Sequence, residues 1–252
     1  MIGRSRDLLH ETTTRLDRLA SLADAGGLDD AVDMITKSLD AGGIVQAFGT
    51  GHSQAFAMEI AGRAGGLIPT TSIALRDVVF LGDRDPSILS GAATLERDPA
   101  IVDDLWRTIR PHPEDVFVIA SNSGVNGSIV GIALQAKEHG HGVIAVTSLE
   151  HTARVEPKHP SGRRLSEVAD VVIDNLAPYG DTTLTLDGAT GVGAVSSMTT
   201  AFIAQLLTIG VAERIAAAGS VPPIYLSANI PGGDDHNHQL EGQYGDRLRR
   251  RA

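Results

Sequence analysis

Two short segments combine glycine with hydroxyl and amide side chains, which can bind an anion through neutral donors. The first loop, residues 49–53, reads Gly-Thr-Gly-His-Ser, and the second loop, residues 121–126, reads Ser-Asn-Ser-Gly-Val-Asn. Gln54 stands where a dinucleotide-binding loop has its third glycine, and the chain has no P-loop motif. Backbone N–H groups and hydroxyls that open a helix bind anions. Two such loops therefore predict a phosphate site, whereas one alone could simply cap a helix.

Three side chains could transfer protons at these loops, because they lie near a loop in the sequence or in a segment that could cover the site. Glu59 lies six residues after Ser53 among apolar neighbours, which would raise its pKa if the carboxyl group is buried. The alternative interpretation of Glu59 is a surface ion pair with Arg63, four residues further on. Glu96 lies in an irregular segment that could cover a site, or it simply begins a helix. His52 could donate to a carbonyl group or only cap the first loop.

The end of the chain holds a second group of polar residues. His236 and His238 stand beside two aspartates, a grouping that could indicate a metal. The sequence has no second pair at ligand spacing, so we predict no metal and no cofactor. We expect instead that residues 216–252 lie near the site, either of their own chain or of a neighbouring subunit, with both histidines contacting substrate. The arginines from Arg247 onward are interpreted as a solvated tail.

The segments that must position these residues alternate between predicted strands and helices. Helical periodicity predicts intervening helices at 54–64, 101–108 and 127–139. Alternating strands and helices form a parallel sheet with helices on both faces, and such sheets bind ligands at the carboxyl ends of their strands. Both loops follow predicted strands. The five strands are predicted from short apolar runs at 44–48, 68–75, 115–120, 142–147 and 170–173.

We predict a single domain over residues 1–252, which consists of a core with extensions at both ends. Residues 1–42 carry helical periodicity and form an N-terminal helical extension, and residues 43–215 form the core. The stretch 188–218 is long, apolar and rich in alanine, and we predict a helix there. It has more apolar surface than one side of a sheet requires, so we expect a homodimer or a larger assembly.

Composition limits the classes of function. The 252 residues carry a net charge of −10 and contain no cysteine, which excludes disulfides, thiolate catalysis and cysteine-based zinc sites. The acidic charge argues against a nucleic-acid partner. The first residues lack the apolar core of a signal peptide, and no apolar run reaches membrane-spanning length without a charge or a glycine. We therefore expect a cytoplasmic protein with no membrane partner.

The order of motifs resembles a known family. A strand, Gly-Thr-Gly-His-Ser and a helix, then a strand, Ser-Asn-Ser-Gly-Val-Asn and a helix, resemble the sugar isomerase (SIS) domain over residues 40–215. That domain occurs in glucosamine-6-phosphate synthase, phosphoheptose isomerase and N-acetylmuramic acid 6-phosphate etherase. Residues 63–67 and 227–234 resemble a stand-alone bacterial subgroup. The resemblance implies a doubly wound five-stranded parallel sheet with flavodoxin-like strand order.

The resemblance also implies that hydroxyls of both loops hold a sugar phosphate. Val125 and Asn126 depart from the family pattern, so at one contact an amide replaces a hydroxyl or the contact is lost. The implied substrate contacts in the two loops are Thr50, Gly51, Ser53, Ser121, Asn122, Ser123 and Asn126.

The implied chemistry begins when a base removes the proton at C2 of the open-chain sugar. Glu59 is the expected base, with Glu96 or His52 assisting at the oxygen atoms. Two carboxylates favour a lyase that performs β-elimination on an N-acetylhexosamine 6-phosphate such as GlcNAc 6-phosphate. An aldose–ketose isomerase is the alternative. A sugar-phosphate sensor is the third interpretation. Such a sensor would normally carry a DNA-binding segment before this domain, and the roughly 40 residues that precede the first strand are short for one. The expected partners are a phosphorylated amino sugar and a neighbouring subunit that shares the site.

Overall fold

The computed structural model describes residues 3–91 and 95–249. Its centre is a sheet of five short strands, and the first and third of them are buried along their whole length because they lie between two layers of helices. The strands are β1 (Val45–Gly49), β2 (Thr70–Ile73), β3 (Val116–Ala120), β4 (Gly142–Thr147) and β5 (Val171–Asp174).

All five strands are parallel, in the order β2-β1-β3-β4-β5. The predicted five-stranded parallel sheet with flavodoxin-like order is confirmed. β1 and β3 are neighbours, and their last residues, Gly49 and Ala120, lie opposite each other. The chain turns to one side of β1 to form β2 and to the other side to form β3. This change of direction creates a crevice at the carboxyl edge of the sheet.

Helices cover both faces of the sheet, and four further segments of the described residues are 3₁₀ helices. The helices in the described part of the chain are α1 (Ser5–Asp24), α2 (Asp29–Asp40), α3 (Gln54–Ile60), α4 (Asp77–Phe80), α5 (Ile101–Ile109), α6 (Gly127–Glu138), α7 (Leu149–Thr152), α8 (Leu165–Val168), α9 (Ser196–Ala217) and α10 (Gly233–Glu241). The 3₁₀ turns span Gly51–Ser53, Pro86–Gly91, Tyr179–Asp181 and Gly245–Arg247.

Successive strand residues supply two separate cores. Val118 of β3 packs with α1, α2, α3 and α9 on one face of the sheet. Its neighbours Phe117 and Ile119 pack with α5 and α6 on the other face. This alternation follows from the two-residue repeat of a strand, and it explains why the strands read as continuous apolar runs.

Two predicted helices have different bounds. α3 ends at Ile60, not near residue 64, because Gly62 adopts a positive φ of 75° that a helix does not allow. The predicted helix at 188–218 begins only at residue 196. The preceding segment instead forms a hairpin of β6 (Leu184–Leu186) and β7 (Thr190–Val192). Asp187 and Gly188 form its turn with positive φ values of 44° and 76°.

α9 is the most apolar long helix of the described residues. By length and composition alone it could cross a membrane, although only 39% of its most apolar window is buried inside the protein. Its buried side chains, including Ile203, Leu207 and Val211, belong to the core formed with α1, α2 and α3. Its apolar composition is thus used, at least in part, in packing against the sheet.

The C-terminal segment lies at the amino edge of the sheet, opposite the two loops. Ile224 bridges to Leu67 just before β2, and the side chain of Asn237 in α10 exchanges two hydrogen bonds with the backbone of Leu226. Arg247 donates to the buried Asp115, which precedes β3. These anchors hold the segment at the amino edge, and the placement of residues 216–252 near a site, of their own chain or of a neighbouring subunit, stays a prediction.

The prediction of a solvated arginine tail is also wrong for two of its members. Arg247 donates to Asp115 and to the carbonyl of Gly42 at 2.9 Å. Arg249 donates to the carbonyl of Thr108 at the end of α5. Both guanidinium groups bond to partners at the amino edge of the sheet. The remaining arginines, at 250 and 251, lie outside the described residues.

Candidate functional site

The first and second loops begin side by side. β1 and β3 are hydrogen-bonded neighbours with Gly49 opposite Ala120, so Thr50 and Ser121 leave the sheet at the same height. The structure thereby brings together the two segments that the sequence singled out. They meet at the crevice where strand order reverses, the usual ligand position in a doubly wound sheet.

The first loop folds back tightly on the end of β1. A Cβ atom at Gly49 would lie 2.3 Å from the carbonyl oxygen of Ser53, so only glycine fits there. Thr50 is buried, Ser53 is half-buried, and Gly51 and His52 are exposed. Within the described ranges, the hydroxyls of Thr50 and Ser53 make no hydrogen bond. Both hydroxyls are free to donate to a ligand.

The second loop is held more firmly by its surroundings. The backbone N–H of Ser121 donates to Val146 at 3.0 Å, and the Ser121 hydroxyl oxygen accepts from Gly124 at 3.1 Å. Gly124 has a φ of +64°, and its carbonyl accepts from Leu165 at 2.8 Å. Ser123, in contrast, has no hydrogen-bond partner for its hydroxyl in the part of the chain that the structure describes. The loop therefore presents Ser123 from a rigid frame.

Asn122 is oriented by a residue that sequence reasoning missed. Asn175 follows β5 directly, is 1% exposed, and donates from Nδ2 to Asn122 Oδ1 at 3.1 Å. Its signal in the sequence was the same as that of the two loops, a small polar residue just after an apolar strand. A single residue carries this signal, so it does not stand out from the sequence.

Glu96 lies between the two loops. Asn126, the residue that precedes α6, donates from Nδ2 to Glu96 Oε1. The Glu96 carbonyl accepts from the backbone N–H of Ser128 at 3.2 Å and from its hydroxyl at 2.8 Å. A Cβ atom built on Gly51 would lie 3.3 Å from Glu96 Oε2. The structure thus places this carboxylate against the first loop and at the start of α6.

One polar atom at this point has no partner. Asn126 is 8% exposed, and its Oδ1 atom is buried without a hydrogen bond to any described residue. A buried unpaired oxygen costs free energy of folding. Such groups are more often kept at functional sites than in the purely structural parts of a protein.

Glu59 occupies a different environment. Its Oε1 accepts from Arg63, which lies beyond the end of α3, and from Gln205 Nε2 on α9 at 2.7 Å. The side chain is 24% exposed. The ion pair that the sequence offered as the alternative interpretation is therefore present. Since no contact among the described residues joins Glu59 to either loop, its role as the base stays a prediction.

The tail histidines lie away from the loops of their own chain. His236 donates from Nε2 to the carbonyl of Ile224 at 3.0 Å, and His238 is exposed on α10. Pairing near β2 anchors α10 at the amino edge, and the contact of both histidines with a substrate stays a prediction. Their service to a neighbouring subunit's site stays a prediction. Among the described residues no group of three or more metal-ligating side chains occurs.

His151 lies on the β4 side of the same edge. Its Nδ1 accepts from the backbone N–H of Gly180 at 2.9 Å, which requires that this nitrogen carry no proton. Burial lowers the pKa of His151 below its usual 6.5, Asp181 acts in the opposite direction, and Lys158 adds to the lowering. The imidazole is thus favoured in its neutral form at the rim of the site.

Comparisons with known proteins agree with this architecture. A family model of the SIS domain matches residues 9–148, more than half of the chain. The UPF0309 protein lmo0025 of Listeria monocytogenes is 34% identical over 243 residues, 96% of each chain. The UPF0309 protein GK1441 of Geobacillus kaustophilus is 38% identical over 228 residues, covering 88% of this chain and 86% of the relative.

Two solved structures share the fold at low sequence identity. A phosphoheptose isomerase from Francisella tularensis has a TM-score of 0.55 at 15% identity, with 83% of this chain and 97% of that chain covered. The sugar isomerase domain of an RpiR transcription factor from Sphaerobacter thermophilus has a TM-score of 0.51 at 16% identity, covering 98% and 100%. From its motifs, its sheet and these matches, the chain belongs to the SIS domain family and, within it, to the UPF0309 proteins.

Proposed function

We propose that this protein binds an N-acetylhexosamine 6-phosphate, such as GlcNAc 6-phosphate, and eliminates water from it after removing the C2 proton. One observation carries the proposal. Two loops of free hydroxyl and amide groups meet at the crevice of the sheet, and the Glu96 carboxylate lies between them. An anion site next to a carboxylate suits a phosphorylated substrate that must lose a proton.

The phosphate is proposed to bind at the two loops. The hydroxyls of Thr50, Ser53 and Ser123 have no partner among the described residues, so they can donate to phosphate oxygens. α6 is 12 residues long and begins directly after the second loop, which directs its positive end to the same place. Neutral donors and a helix N-terminus suffice to hold a phosphate, as they do in many phosphate sites.

The base is proposed to be Glu96. Hydrogen bonds to its backbone carbonyl and to Oε1 hold it in place, and Oε2 lies next to Gly51. In elimination the electron pair of the C2–H bond forms a C2–C3 double bond, and the C3 hydroxyl leaves as water with a proton from an acid. His52, which lies in the first loop, is the candidate for that acid.

An aldose–ketose isomerase is the second candidate. It requires the same C2 deprotonation at the same loops, after which the carbon skeleton is reprotonated at C1 and the C3 oxygen stays in place. The shared fold with a phosphoheptose isomerase favours this alternative. The two reactions differ in their products, since only elimination gives an unsaturated sugar phosphate, one water lighter than its substrate.

Deuterium exchange separates the roles of the two carboxylates. We expect Glu96→Gln to bind GlcNAc 6-phosphate but to exchange its C2 proton in D₂O ~10²–10⁴-fold more slowly than wild type, because the amide cannot accept the proton. Glu59→Gln should exchange at the wild-type rate. Proton NMR follows the C2 signal, and absorbance and mass spectrometry detect the unsaturated product. Glu138→Gln, exposed at the far end of α6, is the control.

Other outcomes are equally informative. Wild-type exchange in Glu96→Gln, with loss in Glu59→Gln, would return the role of base to Glu59. A wild-type protein that leaves the C2 proton of GlcNAc 6-phosphate in place would contradict the assignment to amino sugars. With an aldose phosphate that carries a hydroxyl at C2 as the substrate, exchange with formation of the ketose phosphate and no loss of water would establish the isomerase.

A further inference from the structure

Asn175 lies outside both loops, yet it determines which end of the Asn122 side chain is left for a ligand. We propose that Asn175 is a positioning residue that makes Asn122 a hydrogen-bond donor and thereby favours an oxyanion at the second loop. This inference rests on the proposed function, in which that oxyanion is the substrate phosphate.

The orientation of both amides follows from that backbone group. The N–H of Ala177 can only donate, and it donates to the side chain of Asn175 at 2.9 Å. The atom that accepts must be Oδ1, so the other end of the Asn175 amide is Nδ2. Nδ2 can only donate, and it lies 3.1 Å from Asn122. The accepting atom of Asn122 is therefore Oδ1, and its Nδ2 is the end that remains.

Asn175 cannot easily turn over to reverse this order. It is 1% exposed, and its own N–H donates to the carbonyl of Thr147 at 2.9 Å. Ser148 joins the neighbouring segments. Its hydroxyl donates to the backbone carbonyl of Ala177 at 2.6 Å, and its N–H donates to the backbone carbonyl of Asn122 at 3.2 Å. The ends of β3, β4 and β5 are thus cross-linked. A rotated Asn175 amide would place two N–H donors, those of Ala177 and its own Nδ2, against each other.

The free end of Asn122 determines what chemistry the loop accepts. Asn122 is half-buried, and its Nδ2 has no acceptor among the residues that the structure describes. Two N–H donors suit the acceptor oxygens of a phosphate group. They do not suit an ammonium group, which also only donates. Asn175 acts on the ligand only through Asn122 and makes no contact with it in this account.

Asn175→Asp replaces the N–H donor that faces Asn122 with an oxygen that can only accept, and it changes the shape of the side chain little. One carboxylate oxygen still accepts from Ala177, and the other can only accept, so Asn122 must turn its N–H group inward and present Oδ1 outward. We expect the affinity for inorganic phosphate and for GlcNAc 6-phosphate, measured by calorimetric titration, to fall about 10- to 100-fold through the loss of a hydrogen bond to a charged group.

A double-mutant cycle with Asn122→Ala separates orientation from the added charge. We expect Asn175→Asp to weaken phosphate binding strongly when Asn122 is present and only slightly in the Asn122→Ala background. Equal weakening in both backgrounds would overturn the inference. Asn175→Ala adds no charge, and we expect it to weaken binding in the Asn122 background alone. Asn175→Ala therefore tests the inference if Asn175→Asp does not fold.

The failure of this inference differs from the failure of the proposed function. If Ser123→Ala weakens phosphate binding whereas Asn122→Ala does not, the loop binds phosphate but Asn175 has no such role. If neither substitution changes the affinity, the second loop does not hold the phosphate and the proposed function loses its binding site.

Discussion

The two edges of the sheet use similar polar residues in opposite ways. At the amino edge, the side chain of Asp115 is 1% exposed, and both of its carboxylate oxygens accept hydrogen bonds. Its Oδ1 accepts from the N–H of Ile44 at 2.9 Å and from Arg247. Its Oδ2 accepts from Gln46 at 2.9 Å and from the N–H of His112 at 3.0 Å. This carboxylate joins the starts of β1 and β3 to the C-terminal segment.

At the carboxyl edge, polar groups remain without partners in the described part of the chain. They include the hydroxyl of Ser123, the Nδ2 of Asn122 and the buried Oδ1 of Asn126. A buried unpaired group such as Asn126 Oδ1 lowers the stability of a fold, whereas a fully paired carboxylate maintains it. The contrast indicates that the amino edge stabilises the protein and that the carboxyl edge is arranged for a ligand.

The largest effect on stability is expected at the amino edge. Asp115→Ala leaves the guanidinium of Arg247 and two backbone N–H groups without their acceptor, and breaking a buried ion pair in this way costs about 3–5 kcal/mol. Urea denaturation should show this loss in the free energy of unfolding. The exposed Asp83→Ala should stay within about 0.5 kcal/mol of wild type. A loss below 1 kcal/mol for Asp115→Ala would contradict the structural role of this edge.

A smaller, pH-dependent effect is expected at the rim of the carboxyl edge. Burial lowers the pKa of His151, so the folded state favours the neutral imidazole. The unfolded chain takes up a proton near pH 6.5 while the folded chain resists it. The contribution of His151 is therefore present above pH 6.5 and is lost as the pH falls below that value.

His151→Asn tests this contribution. The asparagine oxygen replaces Nδ1 as acceptor for Gly180 and does not titrate. We expect the melting temperature of wild type to fall more steeply between pH 7 and pH 5 than that of the variant. Parallel curves for the two proteins would show that the imidazole does not titrate differently in the folded state.

The sequence predicted the sheet well because its strands are buried on both sides. Continuous apolar runs such as 116–120 stand out without any knowledge of their neighbours. The sequence analysis predicts no hairpin at 184–192, although Asp187 and Gly188 form a turn dipeptide, because the apolar residues beyond it indicate a longer helix. The position of the tail depends on contacts with Gly66 and Asp115 that no local pattern reveals.

The candidate site was predictable to the extent that it depends on strand ends. The two loops could be placed together because each follows a strand. Glu96 and Asn126 are 30 residues apart, and Asn122 and Asn175 are 53 apart, so neither pair has a periodic signal. The apolar neighbours of Glu59 favour a catalytic role, and its spacing to Arg63 indicates the ion pair, but the contact with Gln205 depends on the packing of α9.

The central claim is that the carboxyl edge binds a sugar through its phosphate. Calorimetric titration of the wild-type protein with GlcNAc 6-phosphate and with GlcNAc tests it directly, and Ser123→Ala serves as the matched variant. We expect binding of the phosphorylated sugar only, weakened in Ser123→Ala by about 1.5–3 kcal/mol with an unchanged free energy of unfolding. Equal affinity of wild type for the two sugars, or unchanged affinity in the variant, would contradict the account.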